Sequence, residues 1–167
     1  MQLPMDPRLY DLACKVGSLL KSKGWILVTA ESCTGGWVAK CLTDVPGSSE
    51  WFERGFVTYS NIAKMEMLGV CRETLDQHGA VSQQTVAEMT TGALSHSHAH
   101  WALAVSGIAG PTGGSADKPV GTVWFSWQQR GKKARTYLAH FQGDRECIRR
   151  QAVECALQGV LDGGRKN

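Results

Sequence analysis

The stretch VPGSSEWFERGFVTYSNIAK, residues 45 to 64, holds three side chains able to perform acyl-transfer chemistry together: Ser49, Tyr59 and Lys64. A serine hydroxyl becomes a nucleophile when a base accepts its proton. A lysine desolvated in a cleft, with its pKa lowered toward 7 or 8, can be that base. A tyrosine hydroxyl both donates and accepts, and so can bridge the pair. Taken singly, Ser49 reads as a helix cap after a Pro-Gly turn, Tyr59 as a strand residue at a rim and Lys64 as a solvated helix lysine. The spacing permits either reading.

A second candidate is ESCTGG, residues 31 to 36, placed between an apolar run and a helical pattern. Ser32 or Cys33 on that turn resembles a nucleophile elbow, and a thiol near a helix N-terminus has a lowered pKa. The turn lacks the glycine two residues before the serine, and no His/Asp pair accompanies it. The simpler reading is a tight turn with Ser32 or Thr34 capping the next helix. Gly35 and Gly36 would still let a substrate approach the backbone. SGIAGPTGG, residues 106 to 114, has neither a Walker lysine nor a dinucleotide glycine order, and reads as a ligand-contact loop. SHSHAH, residues 95 to 100, could be a metal tract, but histidines at the negative end of a helix are the simpler reading. Neither metal nor cofactor is expected.

These residues need a scaffold. Apolar positions at 9, 12, 13, 16, 19 and 20 predict a helix over 7–23, opened by Asp6-Pro7 and closed by Gly24. WILVTA (25–30), WFERGFVTYS (51–60) and WALAVS (101–106) read as strands. GWVAKCLTD, NIAKMEMLG (61–69), a segment capped by Ser82 and residues 144–161 read as helices. GTVWFSWQQ and ARTYLAHFQG pair as a hairpin. Alternating helices and strands predict an α/β domain over 1–167, a three-layer α/β/α sandwich with one mixed, mostly parallel β-sheet. ESCTGG and SGIAGPTGG should meet beyond the carboxyl ends of its strands.

Composition narrows the function classes. The chain is 43% hydrophobic and 20% charged, with a net charge of +3. That charge is too small to indicate nucleic acid, and no basic stripe alternates with aromatics. No apolar run is long enough to span a bilayer, and MQLPMDPRLYDL lacks the layout of a secretion signal, so a cytoplasmic protein is expected. Six scattered cysteines without a CxxC pair predict reduced, mostly buried thiols.

TAESCTGGWVAK, DVPGSS, WFERGFVTYSNIAK, GAVSQQTV, SGIAGPTGG, KPVGTVWF and GDR, in this order from about Leu9 to Leu161, resemble the CinA C-terminal domain family. The resemblance implies hydrolysis of the carboxamide of nicotinamide mononucleotide, giving nicotinic acid mononucleotide and ammonia, in recycling of pyridine nucleotides. It implies a serine nucleophile with tyrosine and lysine helpers, carried onto Ser49, Tyr59 and Lys64. It also implies a homodimer or larger homo-oligomer. The substrate's phosphate then needs donors, for which Arg145 is the first choice. The backbone of Thr34, Gly35 and Gly36, or of the loop containing Ser106, Gly107 and Gly110, is the alternative. Two other readings stay open: a non-catalytic nucleotide-binding or regulatory module, and an amidase for a different pyridine-like amide.

Overall fold

A computed structural model describes residues 5–166 of the 167-residue chain, so the first four residues of the N-terminal stretch lie outside the described residues. Asp6 caps the first helix, α1 (Pro7–Lys23), by accepting the N–H groups of Arg8 and Leu9, and Gly24 ends it in a left-handed conformation. Strand β1 (Leu27–Glu31) follows, then α2 (Trp37–Thr43), a single 3-10 turn (Ser48–Glu50), and β2 (Phe52–Val57). Helices α3 (Asn61–Leu68), α4 (Arg72–His78) and α5 (Gln83–Ser95) precede β3 (Trp101–Gly107). The hairpin β4 (Thr122–Gln129) and β5 (Arg135–His140) leads into α6 (Arg145–Arg165).

The sheet has the order β2-β1-β3-β4-β5. β1 pairs in parallel with both β2 and β3, whereas β4 is antiparallel to β3 and to β5. Four strands therefore point one way and β4 alone is reversed, as a mixed, mostly parallel sheet requires. Alternation along the strands divides the core in two. Leu27, Leu103, Val105 and Phe125 pack with Val16, Leu20, Ala156 and Leu157 of α1 and α6. Val28, Ala30, Ala102 and Ala104 face Val86, Met89 and Ala93 of α5. These are the three layers.

Several boundaries differ from expectation for local reasons. β2 is shorter than 51–60 because Ser60 leaves the strand to cap α3, accepting the N–H of Ala63. α4 is an additional short helix whose Leu75 joins the α5 side of the core. α6 runs past Leu161 to Arg165 through two glycines. A Cβ at Gly164 would come 2.6 Å from a methyl of Leu19, so a small residue is what lets α6 lie close to α1.

The tightest such contact bears on function. A Cβ on Gly92 of α5 would lie 1.8 Å from the carbonyl oxygen of Leu68, at the end of α3. Alanine favours helix by about 1 kcal/mol over glycine, but a backbone clash of this kind costs more than that gain. Gly92→Ala should lower stability by about 2 kcal/mol net, roughly 4–8 °C in thermal melting for a domain of this size. Because Lys64 lies one turn before Leu68, activity should fall as well.

Candidate active site

The carboxyl ends of β1, β2 and β3 deliver Ser32, Thr58 and Ser106 to one edge of the sheet. Two hydrogen bonds extend the parallel ladders beyond the strands: Thr58 N–H to Glu31 O at 2.8 Å and Ser32 N–H to Val105 O at 3.0 Å. Ser32 is therefore seated by backbone on a central strand, a rigid placement for a reacting atom. A cavity of about 250 Å³ opens there, with Ser32, Tyr59, Lys64, Ser106 and Arg145 in its wall.

Lys64 is 1% exposed. The Ser60 cap starts α3 so that Lys64, one turn in, points its stem inward. Its Nζ donates to Ser32 Oγ at 3.0 Å and to the Thr58 carbonyl at 2.7 Å. Both partners are neutral, and among the described residues no carboxylate pairs with the amine. Burial pushes its pKa down to about 8. A fraction of the amine is then unprotonated near neutral pH, and a neutral amine at this distance accepts the Ser32 proton.

The turn after Ser32 is held from two sides. Glu31 is 1% exposed, and its carboxylate accepts Thr34 Oγ1–H at 2.6 Å and the N–H groups of Val38 and Ala39 at 2.8 and 3.0 Å. It thereby caps α2 from the preceding strand. The expected cap by Ser32 or Thr34 is corrected accordingly: Gly36 occupies the N-cap position without a side-chain bond. From the other side, Arg149 of α6 donates Nε–H to Cys33 O at 3.0 Å and Nη2–H to Thr34 O at 3.2 Å, and it lies over the Trp37 ring. Gly35 and Gly36 have φ of 59° and 98°, which allow the chain to reverse from β1 into α2.

The structure does not bring Ser49 to Lys64. Ser49 is exposed in the 3-10 turn before β2, where Trp51 O accepts the N–H of Leu27 at the start of β1. Lys64 lies beyond the other end of β2. Six residues at about 3.3 Å each put roughly 20 Å of strand between them, so Ser49 is corrected as the hydroxyl facing this amine. Ser32 takes that place. It was recognisable in the sequence as a residue on a strand-turn-helix junction, but the Lys64 partner, 32 residues later, was not.

Tyr59 shares the cavity but is 61% exposed at its mouth, where its hydroxyl accepts an N–H of Arg145 at 3.0 Å. Arg145 also donates to Gly110 O at 2.8 Å, joining the start of α6 to the SGIAGPTGG loop. Ser106 and Gly107 are in the cavity wall, and Ser106 Oγ–H is directed to Ala80 O at 2.9 Å. Thr34, Gly35 and Gly36, the alternative donors for a phosphate, instead line a separate groove among α1, α2 and α6. Glu31 and Arg149 were missed by sequence reading. Their only signals were a charge closing an apolar strand and an arginine four residues after Arg145.

Cys33 is buried in the wall, and burial, with the nearby Glu31 carboxylate, pushes its pKa up to about 12. It is a thiol, not a thiolate, at neutral pH, which disfavours it as the nucleophile. All six cysteines are free, but only Cys33 and Cys41 are buried while Cys71 and Cys147 are exposed, correcting the expectation of mostly buried thiols. The histidines of SHSHAH turn to three separate partners: His96 to Gly92 O, His98 to Glu53, and His100 Nδ1 to the Ile26 N–H. Among the described residues no cluster of three or more His, Cys, Asp or Glu side chains could hold a metal ion.

Comparison with known proteins places this geometry in context. Residues 9–163 match the model of the CinA C-terminal domain. The nicotinamide-nucleotide amidohydrolase PncC of Escherichia coli K12 is 57% identical over 153 residues, covering 92% of this chain and 93% of the relative. The protein of the same name from Pseudomonas putida is 51% identical over 160 residues, covering 96% and 99%. The crystal structure of competence/damage inducible protein CihA from Agrobacterium tumefaciens superposes with a TM-score of 0.92 at 44% identity, covering 97% and 98% of the two chains. A CinA superfamily protein from Klebsiella pneumoniae 700603 gives 0.92 at 41%, covering 95% and 99%. With its three-layer fold, its nearly full-length match and its relatives all in accord, the chain belongs to the CinA C-terminal domain family.

Proposed function

We propose that this protein is a nicotinamide-nucleotide amidohydrolase, converting nicotinamide mononucleotide to nicotinic acid mononucleotide and ammonia, with Ser32 as nucleophile and Lys64 as its base. Relatives more than 50% identical over nearly the whole chain carry that activity in their names. The observation carrying the residue assignment is the 3.0 Å contact between Ser32 Oγ and a buried amine with no counter-ion among the described residues.

Neutral Lys64 accepts the proton as Ser32 Oγ bonds to the carboxamide carbon, giving a tetrahedral oxyanion. The carbon–nitrogen bond then breaks as Lys64 returns the proton to the departing nitrogen, releasing ammonia and leaving an ester on Ser32. A water attacks that ester with its proton passing to Lys64, which returns it to Ser32 Oγ as the bond to the carbonyl carbon breaks. The product leaves as its carboxylate, with its own proton lost to solvent. The positive pyridinium ring withdraws electrons from the carbonyl and aids both additions. Tyr59 and Arg145 close the cavity mouth, where the substrate's ribose phosphate would exchange the Tyr59–Arg145 bond for an ionic one.

Ammonia release should be robust with nicotinamide mononucleotide and at least tenfold lower in kcat/KM with free nicotinamide or the intact dinucleotide. A coupled ammonia assay on the three compounds measures this. Binding without release would favour the regulatory-module reading, and preference for another amide would favour a different amidase. No helix among the described residues is long and apolar enough to cross a membrane. A cytoplasmic homo-oligomer is the accompanying proposal, and light scattering of the purified protein tests its assembly state.

A further inference from the structure

Two buried backbone donors border the Ser32 cavity without a strong acceptor. Cys33 and Ala109 are in its wall and are 7% and 6% exposed. Among the described residues, no carbonyl or side-chain oxygen accepts the N–H of either; that of Cys33 meets only its own sulfur, a weak acceptor. Buried N–H groups without acceptors are uncommon in folded proteins and call for an explanation.

Both peptide planes are fixed. The Ser32 carbonyl accepts the N–H of Gly35, which sets the plane carrying the Cys33 N–H. The Ile108 carbonyl accepts the N–H of Gly121, so the Ala109 N–H, trans in the same plane, points away from β4. Each segment is further tied to the first turns of α6. Arg149 holds the carbonyls of Cys33 and Thr34, and Arg145, four residues earlier, holds that of Gly110. In the nucleophile elbow of α/β-hydrolases the N–H of the residue after the nucleophile is one of the oxyanion donors, and Cys33 follows Ser32 on a comparable strand-to-helix turn.

We infer that the backbone N–H groups of Cys33 and Ala109 form the oxyanion hole for the tetrahedral intermediate, and that Arg149 is a positioning residue that braces the first of them. The inference rests on Ser32 being the nucleophile. Arg149 contributes by keeping the turn from relaxing so that its donors need no reorganisation when charge develops.

The test replaces a single N–H by oxygen. Incorporating lactic acid in place of Ala109 keeps the side chain and deletes the donor. Lactic acid at position 33 does the same, compared with Cys33→Ala as its side-chain control. Each ester should lower kcat for nicotinamide mononucleotide by about 10²–10³-fold, with KM changed less than threefold. Arg149→Met should lower kcat by about ten- to a hundredfold, with partial recovery when guanidinium ion is added at concentrations well below denaturing. A kcat within threefold of wild type for both esters overturns the oxyanion hole, as does a loss residing wholly in KM. Unaltered kcat in Arg149→Met overturns the positioning role. Should Ser32→Ala be inactive while the esters are normal, this inference alone falls; an active Ser32→Ala takes the nucleophile reading down with it.

Discussion

Ser32→Ala should reduce ammonia release from nicotinamide mononucleotide by about 10³-fold or more, while Ser49→Ala stays within twofold of wild type. The two serines are a decisive pair because sequence alone makes both plausible and the structure separates them by the length of a strand. Ser32 Oγ is the hydroxyl that meets the buried amine, at 3.0 Å. Its removal takes away the atom that bonds to the carboxamide carbon, and no histidine or thiolate stands in the cavity to replace it. Ser49 is exposed beside the Lys21–Glu50 ion pair, and its loss touches no group near the site. Substrate affinity of Ser32→Ala should be nearly preserved, measurable by calorimetry. The reverse ranking, with Ser49→Ala dead and Ser32→Ala active, would defeat the mechanism, and a second copy of the chain supplying Ser49 would then have to be sought.

The second large effect belongs to Lys64. Lys64→Met should remove turnover by about 10²–10⁴-fold, the usual range for a general base, with the protein folded. In the wild type, the rate under subsaturating substrate should rise with pH and level off above a midpoint near 8, because the unprotonated amine is the active form. Stability carries the same signature with a definite sign. Below about pH 8 the amine is protonated in both folded and unfolded chains, and the burial of the charge costs about 3 kcal/mol, from a pKa lowered from 10.5 to about 8. Between 8 and 10.5 the unfolded chain holds the extra proton, so the folded state gains stability as pH rises, until the cost vanishes. Lys64→Met lacks this dependence but also loses the bonds to Ser32 and Thr58, worth about 1 kcal/mol each. Melting from pH 7 to 10.5 should therefore show wild type gaining on the variant by about 3 kcal/mol. Parallel curves for the two proteins, with a rate independent of pH across 7 to 9, would assign the base elsewhere.

Much of the scaffold was legible because its signals are local. Asp6-Pro7 and Gly24 bound α1, Ser82 caps α5, and the apolar runs read at 25–30 and 101–106 contain most of β1 and β3, which are covered on both faces. α4 left no comparable signal, since RETLDQH is polar with one buried leucine. The site was less legible. Lys64 was found as a chemical type, but the adjacent sequence made Ser49 its apparent partner. Sequence proximity is a poor guide here because a strand carries its two ends apart while a crossover brings distant residues to one edge.

By itself, the sequence determined the class of sheet, the capping of its helices and the presence of a lysine, a tyrosine and two glycine-bearing turns able to serve an amide-cleaving site. Only the tertiary structure decided which hydroxyl the amine serves, that Glu31 and Arg149 grip the turn from opposite sides, and that Arg145 spans the cavity mouth to Tyr59. The physical reason is that parallel pairing of β1 with β2 and β3 sets the register of three strand ends. The burial that gives Lys64 its lowered pKa exists only once α3 has packed against them.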